Sequence, residues 1–311
     1  MGKVFVLGSL NIDLVIRSNV LPSKGETVIG DLFLITPGGK GGNQAVACVK
    51  QGIKTYMIGS LGDDSFSTTL EHDLIKYGVN CDFIDKLENQ NCGAASIWVV
   101  NGDNRIIINQ GANLFHDINR IKNVLRKNAS RDDILIAQLE IPSEIVEQAF
   151  IEAKELGMKT ILNPAPARKI SDLLYQKTDL LIANESELQT LTGISPDDEQ
   201  STKVAFQHII SKGVKEVVLT CGDKGSFYMS AQKYEKTKAY EVDVVDTTAA
   251  GDTYIGVLAS EIIKNSSMCD AMKRGSAAAA LTIQKTGAQI SIPSKHEIDD
   301  FIRGYENENH N

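Results

Sequence analysis

Short apolar runs recur along the chain, and each stops at a small or polar residue. Residues 4–7 run into Gly8, 134–137 into Gln138, 160–162 into Asn163, 180–183 into Asn184 and 217–220 into Cys221-Gly222. Runs this short, without polar alternation, predict strands buried on both faces as in a parallel sheet. Residues 56–58 add another. Between them the spacing turns helical over 65–77, closed by Gly78, and over 144–156, closed by Gly157. A glycine just past the last periodic residue is a common helix stop. Strands alternating with helices form right-handed βαβ units, so the predicted fold class is α/β: a doubly wound, mostly parallel sheet with helices on both faces.

Two stretches depart from that rhythm. Residues 14–37 alternate β-branched and apolar residues around Pro22, Gly25, Gly30 and Pro37, and a similar pattern returns over 94–110, where Asn101-Gly102-Asp103-Asn104 makes a hairpin turn. These segments are expected to pair into a small sheet outside the main one, in the shape of a lid. Residues 240–245 read as a further strand that breaks at Asp246-Thr247-Thr248, with a helix starting at Asp252. The tail after Gly304 is polar and is expected to fray. Without repeats or long linkers, 1–311 reads as one domain carrying the lid.

Composition narrows the class. At 311 residues the chain can bury a sizeable core. Its 32 basic and 40 acidic residues give a net charge of −8 without blocks of like charge, which argues against nucleic-acid or anionic-membrane partners. Cys48, Cys81, Cys92, Cys221 and Cys269 have no CxxC or metal-ligand spacing and read as reduced, buried thiols. With no apolar run of about 18 residues and an N-terminus that enters a strand directly, a soluble cytoplasmic protein is expected.

Candidate chemistry gathers at the strand ends, where open α/β sheets bind ligands. Asn11 and Asp13 follow the first strand and either hold sugar hydroxyls or cap the loop as turn formers. Gln138-Leu139-Glu140, Asn163-Pro164-Ala165-Pro166, Asn184-Glu185-Ser186-Glu187 and Thr220 to Gly225 follow later strands; Asn184 with Glu187 also reads as plain helix capping. Gly38-Gly39-Lys40-Gly41-Gly42-Asn43-Gln44 precedes a helical segment and allows close backbone approach to a ligand, although it is not a Walker A loop. Ala249, Ala250 and Gly251 would turn tightly before a helix and point backbone N–H groups at an anion. A carboxylate in such a nest repels phosphate unless it takes a proton, which makes Asp252 a candidate base for phosphoryl transfer.

Taken in order over nearly the whole chain, Asn11-Ile12-Asp13, GGKGGNQAVA, QLE, NPAPA, NESE, LTCGDKG and DTTAAGDTYIG closely resemble the ribokinase family of carbohydrate kinases. The resemblance implies the same doubly wound domain and β-lid, the lid often forming a homodimer contact. It implies Asp252 as catalytic base, with the amides of Ala249, Ala250 and Gly251 as anion hole, and Asn11, Asp13, Gly39, Lys40, Asn43 and Glu140 as the sugar-binding set. Asn184 and Glu187 match the pair that holds Mg2+ through water beside the ATP phosphates, and Thr220, Gly222 and Gly225 match the loop supporting the nucleotide. Asp246 and Thr248, with Lys285, Gly287 and Ser291, match the loops that bind an activating monovalent cation, K+. Gly41-Gly42 departs from the usual Gly-Ala, and Ser276 stands in the adenine-pocket helix where members often carry His. The implied activity is ATP-dependent phosphorylation of D-ribose at the 5-hydroxyl. A kinase for deoxyribose, another pentose or a nucleoside is an alternative, as is a non-catalytic sugar sensor, against which the intact Asp252 argues.

Overall fold

The computed structural model describes residues 2–101 and 103–309. Gly102 of the expected hairpin turn, and His310 and Asn311 of the tail, lie outside the described residues. The strands are β1 (Val4–Leu7), β2 (Asn11–Ser18), β3 (Leu32–Gly38), β4 (Thr55–Leu61), β5 (Asn80–Lys86), β6 (Gly93–Val100), β7 (Asp103–Asn109), β8 (Ile134–Gln138), β9 (Lys159–Asn163), β10 (Leu180–Asn184), β11 (Glu216–Thr220), β12 (Ser226–Ser230) and β13 (Tyr234–Thr237). The helices are α1 (Lys40–Lys50), α2 (Ser65–Tyr77), α3 (Ile118–Asn128), α4 (Ser143–Glu155), α5 (Asp172–Lys177), α6 (Glu185–Thr192), α7 (Glu199–Ser211), α8 (Ala250–Ile263), α9 (Met268–Ile283) and α10 (Lys295–Asn309).

Nine strands form one sheet in the order β13-β12-β11-β10-β9-β8-β1-β4-β5, parallel from β11 through to β5 and antiparallel at β11-β12-β13. The first strand shows why it must be apolar throughout. Val4 and Val6 enter a core shared with α1, α8 and α9, while Phe5 and Leu7 enter a second core under α3 to α7. Rings of Phe5, Tyr56 and Phe83 stack across β1, β4 and β5 at centroid spacings of 5.1 and 5.3 Å, locking three neighbouring strands together. Strand order reverses between β8 and β1, and a crevice opens at such a switch point.

The second sheet, ordered β3-β2-β6-β7, contains the two β-rich segments read from the sequence, with strands starting slightly earlier at Asn11 and Gly93. Residues 240–245 form no strand; Val245 N–H donates to the Ile283 carbonyl at the end of α9, at 2.7 Å, and not to a neighbouring strand. Helix α8 begins at Ala250, two residues before the expected start, so Asp252 lies inside its first turn. Helix α1 begins at Lys40, which puts Gly41 and Gly42 inside a helix instead of in a loop ahead of it. The polar tail continues α10 through Asn309, anchored where the Tyr305 ring meets Tyr240 edge-on at 4.8 Å. Among the described residues all five cysteines are unpaired in disulfides, and no helix is long and apolar enough to cross a membrane.

Helices α1 and α8 cross at Gly256, where a Cβ would stand 2.4 Å from the Ala47 Cβ and 2.8 Å from the Gln44 carbonyl oxygen. Gly256→Ala is expected to force these helices apart and cost about 1–3 kcal/mol of stability, read as a lower urea midpoint with an unchanged slope.

Candidate functional site

A cleft of about 940 Å³ opens at the C-terminal edge of the sheet, lined by Lys40, Asn184, Glu187, Thr220, Ala249 to Asp252, and Ser276 among others. Strand register brings polar strand ends level at this edge: Gln138 pairs with Asn163, and Asn184 with Thr220. Lys40 is the one cationic side chain among the described residues lining the cleft.

At the floor of the cleft, Ala249 adopts a left-handed conformation (φ 61°) as the residue before α8, and no side chain caps this helix. The first-turn N–H groups of α8 therefore have no acceptor within the helix, and Ala250 N–H reaches outside it to the Thr247 carbonyl at 3.3 Å. Asp252, in that first turn, is buried. Its Oδ2 accepts from Asn43 Nδ2 and its Oδ1 from Gln44 Nε2, both at 2.9 Å. Gln44 Oε1 in turn accepts from Gln138 Nε2 at 2.6 Å. Gln44 went unrecognised at the sequence level, as did the part of Gln138 in holding it. One signal was available: Lys40, Asn43 and Gln44 stand at i, i+3 and i+4, a polar stripe on an otherwise apolar helix.

Beside Asp252 lies the group from the N-terminal third. Asn11 and Asp13 share one face of β2 by the two-residue period of a strand. Glu140 Oε2 accepts from the Ser9 hydroxyl, from Lys40 N–H at 3.2 Å and from Asn11 Nδ2 at 3.4 Å. The glycines of the GGKGG segment serve the chain's own packing. Gly39 has φ 84°, and a Cβ on Gly41 would lie 2.7–2.8 Å from the backbone of Gly8 and Ser9. The close approach expected toward a ligand is thus also an approach of α1 to the β1–β2 turn.

The charges are strongly coupled. Burial, reinforced by Glu140 and Asp252 and opposed by Lys40, pushes the Asp13 carboxyl up to about 7. Burial alone would lower the Lys40 ammonium, but Asp252, Glu140, Glu187 and Asp13 outweigh it and hold it above the usual lysine range. Burial also raises the Glu187 carboxyl, against the Asn184 N–H and Lys40.

Asn184 and Glu187 form a full capping box on α6: Asn184 Oδ1 accepts from Glu187 N–H, and Glu187 Oε2 from Asn184 N–H, each at 2.9 Å. The capping reading of this pair is thus observed, and the capped turn also lines the cleft. Among the described residues no group of three acidic, His or Cys side chains forms a protein-only metal cage. A Cβ on Gly225 would sit 2.0 Å from the Thr237 carbonyl oxygen, so this glycine is required by β13 as well as facing the cleft.

Behind the Ala249 turn, Asp246 Oδ1 accepts from Thr248 N–H at 2.9 Å and the Thr248 hydroxyl at 2.6 Å, and Oδ2 accepts from Gly287 N–H at 2.9 Å. Burial would raise this carboxyl, but these donors prevail and hold it below the usual range. Ser291 is buried and donates to the Ala288 carbonyl. The Lys285 ammonium points elsewhere, to Glu297 at 2.9 Å, leaving its backbone at the loop. Lys50, at the far end of α1, donates to the carbonyls of Gln289 and Ile292 at 3.2 and 2.6 Å, tying this loop to the helix that carries Asn43 and Gln44.

The family model of the pfkB family carbohydrate kinases matches residues 1–295. A ribokinase of Haemophilus influenzae is 37% identical over 298 residues, covering 96% of this chain and 97% of that protein. A deoxyribokinase of Salmonella typhi is 34% identical over 304 residues, covering 96% and 98%. The structure of Arabidopsis thaliana ribokinase complexed with ribose and ATP superposes with a TM-score of 0.89 at 30% identity, covering 97% of this chain and 99% of that one. With a family match over most of its length and an α8 N-terminus that opens on a buried carboxylate, this chain belongs to the pfkB family of carbohydrate kinases.

Proposed function

We propose that the chain transfers the γ-phosphoryl group of ATP to the 5-hydroxyl of D-ribose. The observation that carries this reading is the seat of Asp252, held from behind by Asn43 and Gln44 between the Asn11-Asp13-Glu140 group and the uncapped amides of α8. Asp252 takes the hydroxyl proton as the sugar oxygen attacks phosphorus and ADP departs. The amides of Ala249, Ala250 and Gly251 and the ammonium of Lys40 meet the charge that spreads over the transferring oxygens. Asn11, Asp13, Gly39, Lys40, Asn43 and Glu140 hold the sugar. Thr220, Gly222, Gly225 and Ser276 border the nucleotide. A kinase acting on deoxyribose is the second reading, favoured by the deoxyribokinase relative at 34% identity.

A carboxylate such as Glu187 beside a phosphate cleft suits Mg2+, which keeps most of its waters and binds through few protein groups. Glu187 and Asn184 would hold it through water, and when bound it neutralises phosphate charge. The ionised Asp246, with the carbonyls of Lys285 and Gly287 and the hydroxyls of Thr248 and Ser291, offers the hard oxygen donors that K+ takes. A K+ there orders the turn that ends at Ala249. Ile16 and Phe33 are cross-strand partners, and together with Ile35 they expose apolar area on the sheet face opposite Asp13. Contiguous apolar surface of this kind supports a homodimer through the lid.

ADP release measured with a panel of pentoses, hexoses and nucleosides is expected to be fastest with ribose; preference for 2-deoxyribose would install the second reading. Asp252→Asn is expected to lower kcat about 10²–10⁴-fold while ribose still binds, and full turnover would remove Asp252 from the role of base. A carboxyl whose folded pKa lies above its unfolded value costs stability as pH rises between the two. Asp13→Asn should therefore stabilise the ligand-free protein at pH 8 by on the order of a few kcal/mol, read as a higher melting temperature, and the gain should vanish below pH 4; a pH-independent difference would contradict the raised Asp13 carboxyl. Replacing K+ by a bulky organic cation should slow turnover, and Asp246→Ala should abolish that dependence.

A further inference from the structure

Asn113 lies on the short 3₁₀ turn Gly111–Leu114 that follows β7, and only 1% of it is exposed. Its orientation is determined by a group that can only donate. Leu10 N–H reaches Asn113 Oδ1 at 2.9 Å, so the other branch of the amide is Nδ2. That Nδ2 donates to the Leu10 carbonyl at 3.2 Å and to Asn11 Oδ1 at 2.8 Å. The edge of Asn11 that faces Asn113 must therefore be its acceptor, and its NH2 is left facing Glu140 Oε2 at 3.4 Å and the proposed sugar position. Turned over, Asn11 would set its oxygen against the Glu140 carboxylate.

The same side chain stands where the two sheets join. Asn11 opens β2 and pairs with Gly93, which opens β6. A Cβ on Gly93 would fall 2.0 Å from Asn11 Oδ1 and 2.2 Å from Asn113 Nδ2. Ala112 N–H reaches the Asn91 carbonyl at 2.8 Å, and Gln110 Nε2 reaches the Glu140 carbonyl at 3.0 Å. Three chain passages between the lid and the main sheet thus meet at one buried amide.

We infer that Asn113 is a positioning residue for sugar recognition, which holds the donor edge of Asn11 toward the sugar at the joint of the lid. The inference rests on the proposed role of Asn11 in holding the sugar. Asn113→Asp keeps the volume and the acceptor for Leu10 N–H but sets a second oxygen against Asn11 Oδ1, so Asn11 must turn over to donate to it. The ribose KM is expected to rise about tenfold or more, with the ATP KM within about twofold, since the nucleotide end does not touch Asn113. In an Asn11→Ala background the same change should move the ribose KM by less than about twofold, because a residue acting through Asn11 has nothing left to act on. If Asn113→Asp does not fold, Asn113→Ser, whose hydroxyl can serve Leu10 but is too short for Asn11, goes through the same cycle. Wild-type turnover of ribose with an unmoved KM in the folded variant, or a penalty undiminished without the Asn11 amide, overturns this inference alone. Absence of ribose turnover in the wild-type chain overturns the proposed function with it.

Discussion

Asp13, Glu140, Glu187 and Asp252 act together on the ammonium of Lys40, each favouring its charged form, in a largely buried crevice. Four carboxylates against one cation is a costly arrangement, since like charges drawn out of water repel far more strongly than at a surface. The architecture around them offsets that cost with neutral donors: Ser9, Asn11 and the Lys40 amide on Glu140, Asn43 and Gln44 on Asp252, and Asn184 on Glu187. The excess negative charge also constrains the ligand. In the proposed reaction a nucleoside triphosphate entering this cleft would meet repulsion unless its own charge were masked, which favours the hydrated divalent cation proposed for Glu187 and Asn184.

Backbone packing keeps this charge cluster in register. Helix α1 carries Lys40, Asn43 and Gln44, meets β1–β2 through Gly41, crosses α8 at Gly256, and ends on the 284–294 loop through Lys50. The proposed sugar end, the proposed base and the proposed cation loop are therefore all tied to one element of eleven residues. Shifting any of its contacts moves three groups together.

Much of this was legible in the sequence. Apolar runs that end at polar residues marked β1, β8, β9, β10 and β11, and their common edge was readable because a parallel sheet puts every C-terminal end on one side. The motifs also marked the candidate side chains themselves. What escaped was relational. Residues 240–245 have strand-like composition, but the backbone at Val245 and Asp246 is spent on the Ile283 carbonyl at the end of α9. Strands β12 and β13 are short and polar enough to pass for loop. The starts of α1 and α8 depend on contacts and on the left-handed Ala249, which spacing alone does not reveal. Gln44 and Asn113 act on other side chains, so their importance appears only when their partners are in view.

The amides behind Asp252 have one more consequence. Gln138 and Gln44 form a polar wall whose members donate and accept hydrogen bonds but do not titrate near neutral pH. In the proposed reaction a proton taken up by Asp252 cannot drain backward into the protein through that wall. It must leave by the face it entered, toward the cleft, so that resetting the base is tied to departure of the products.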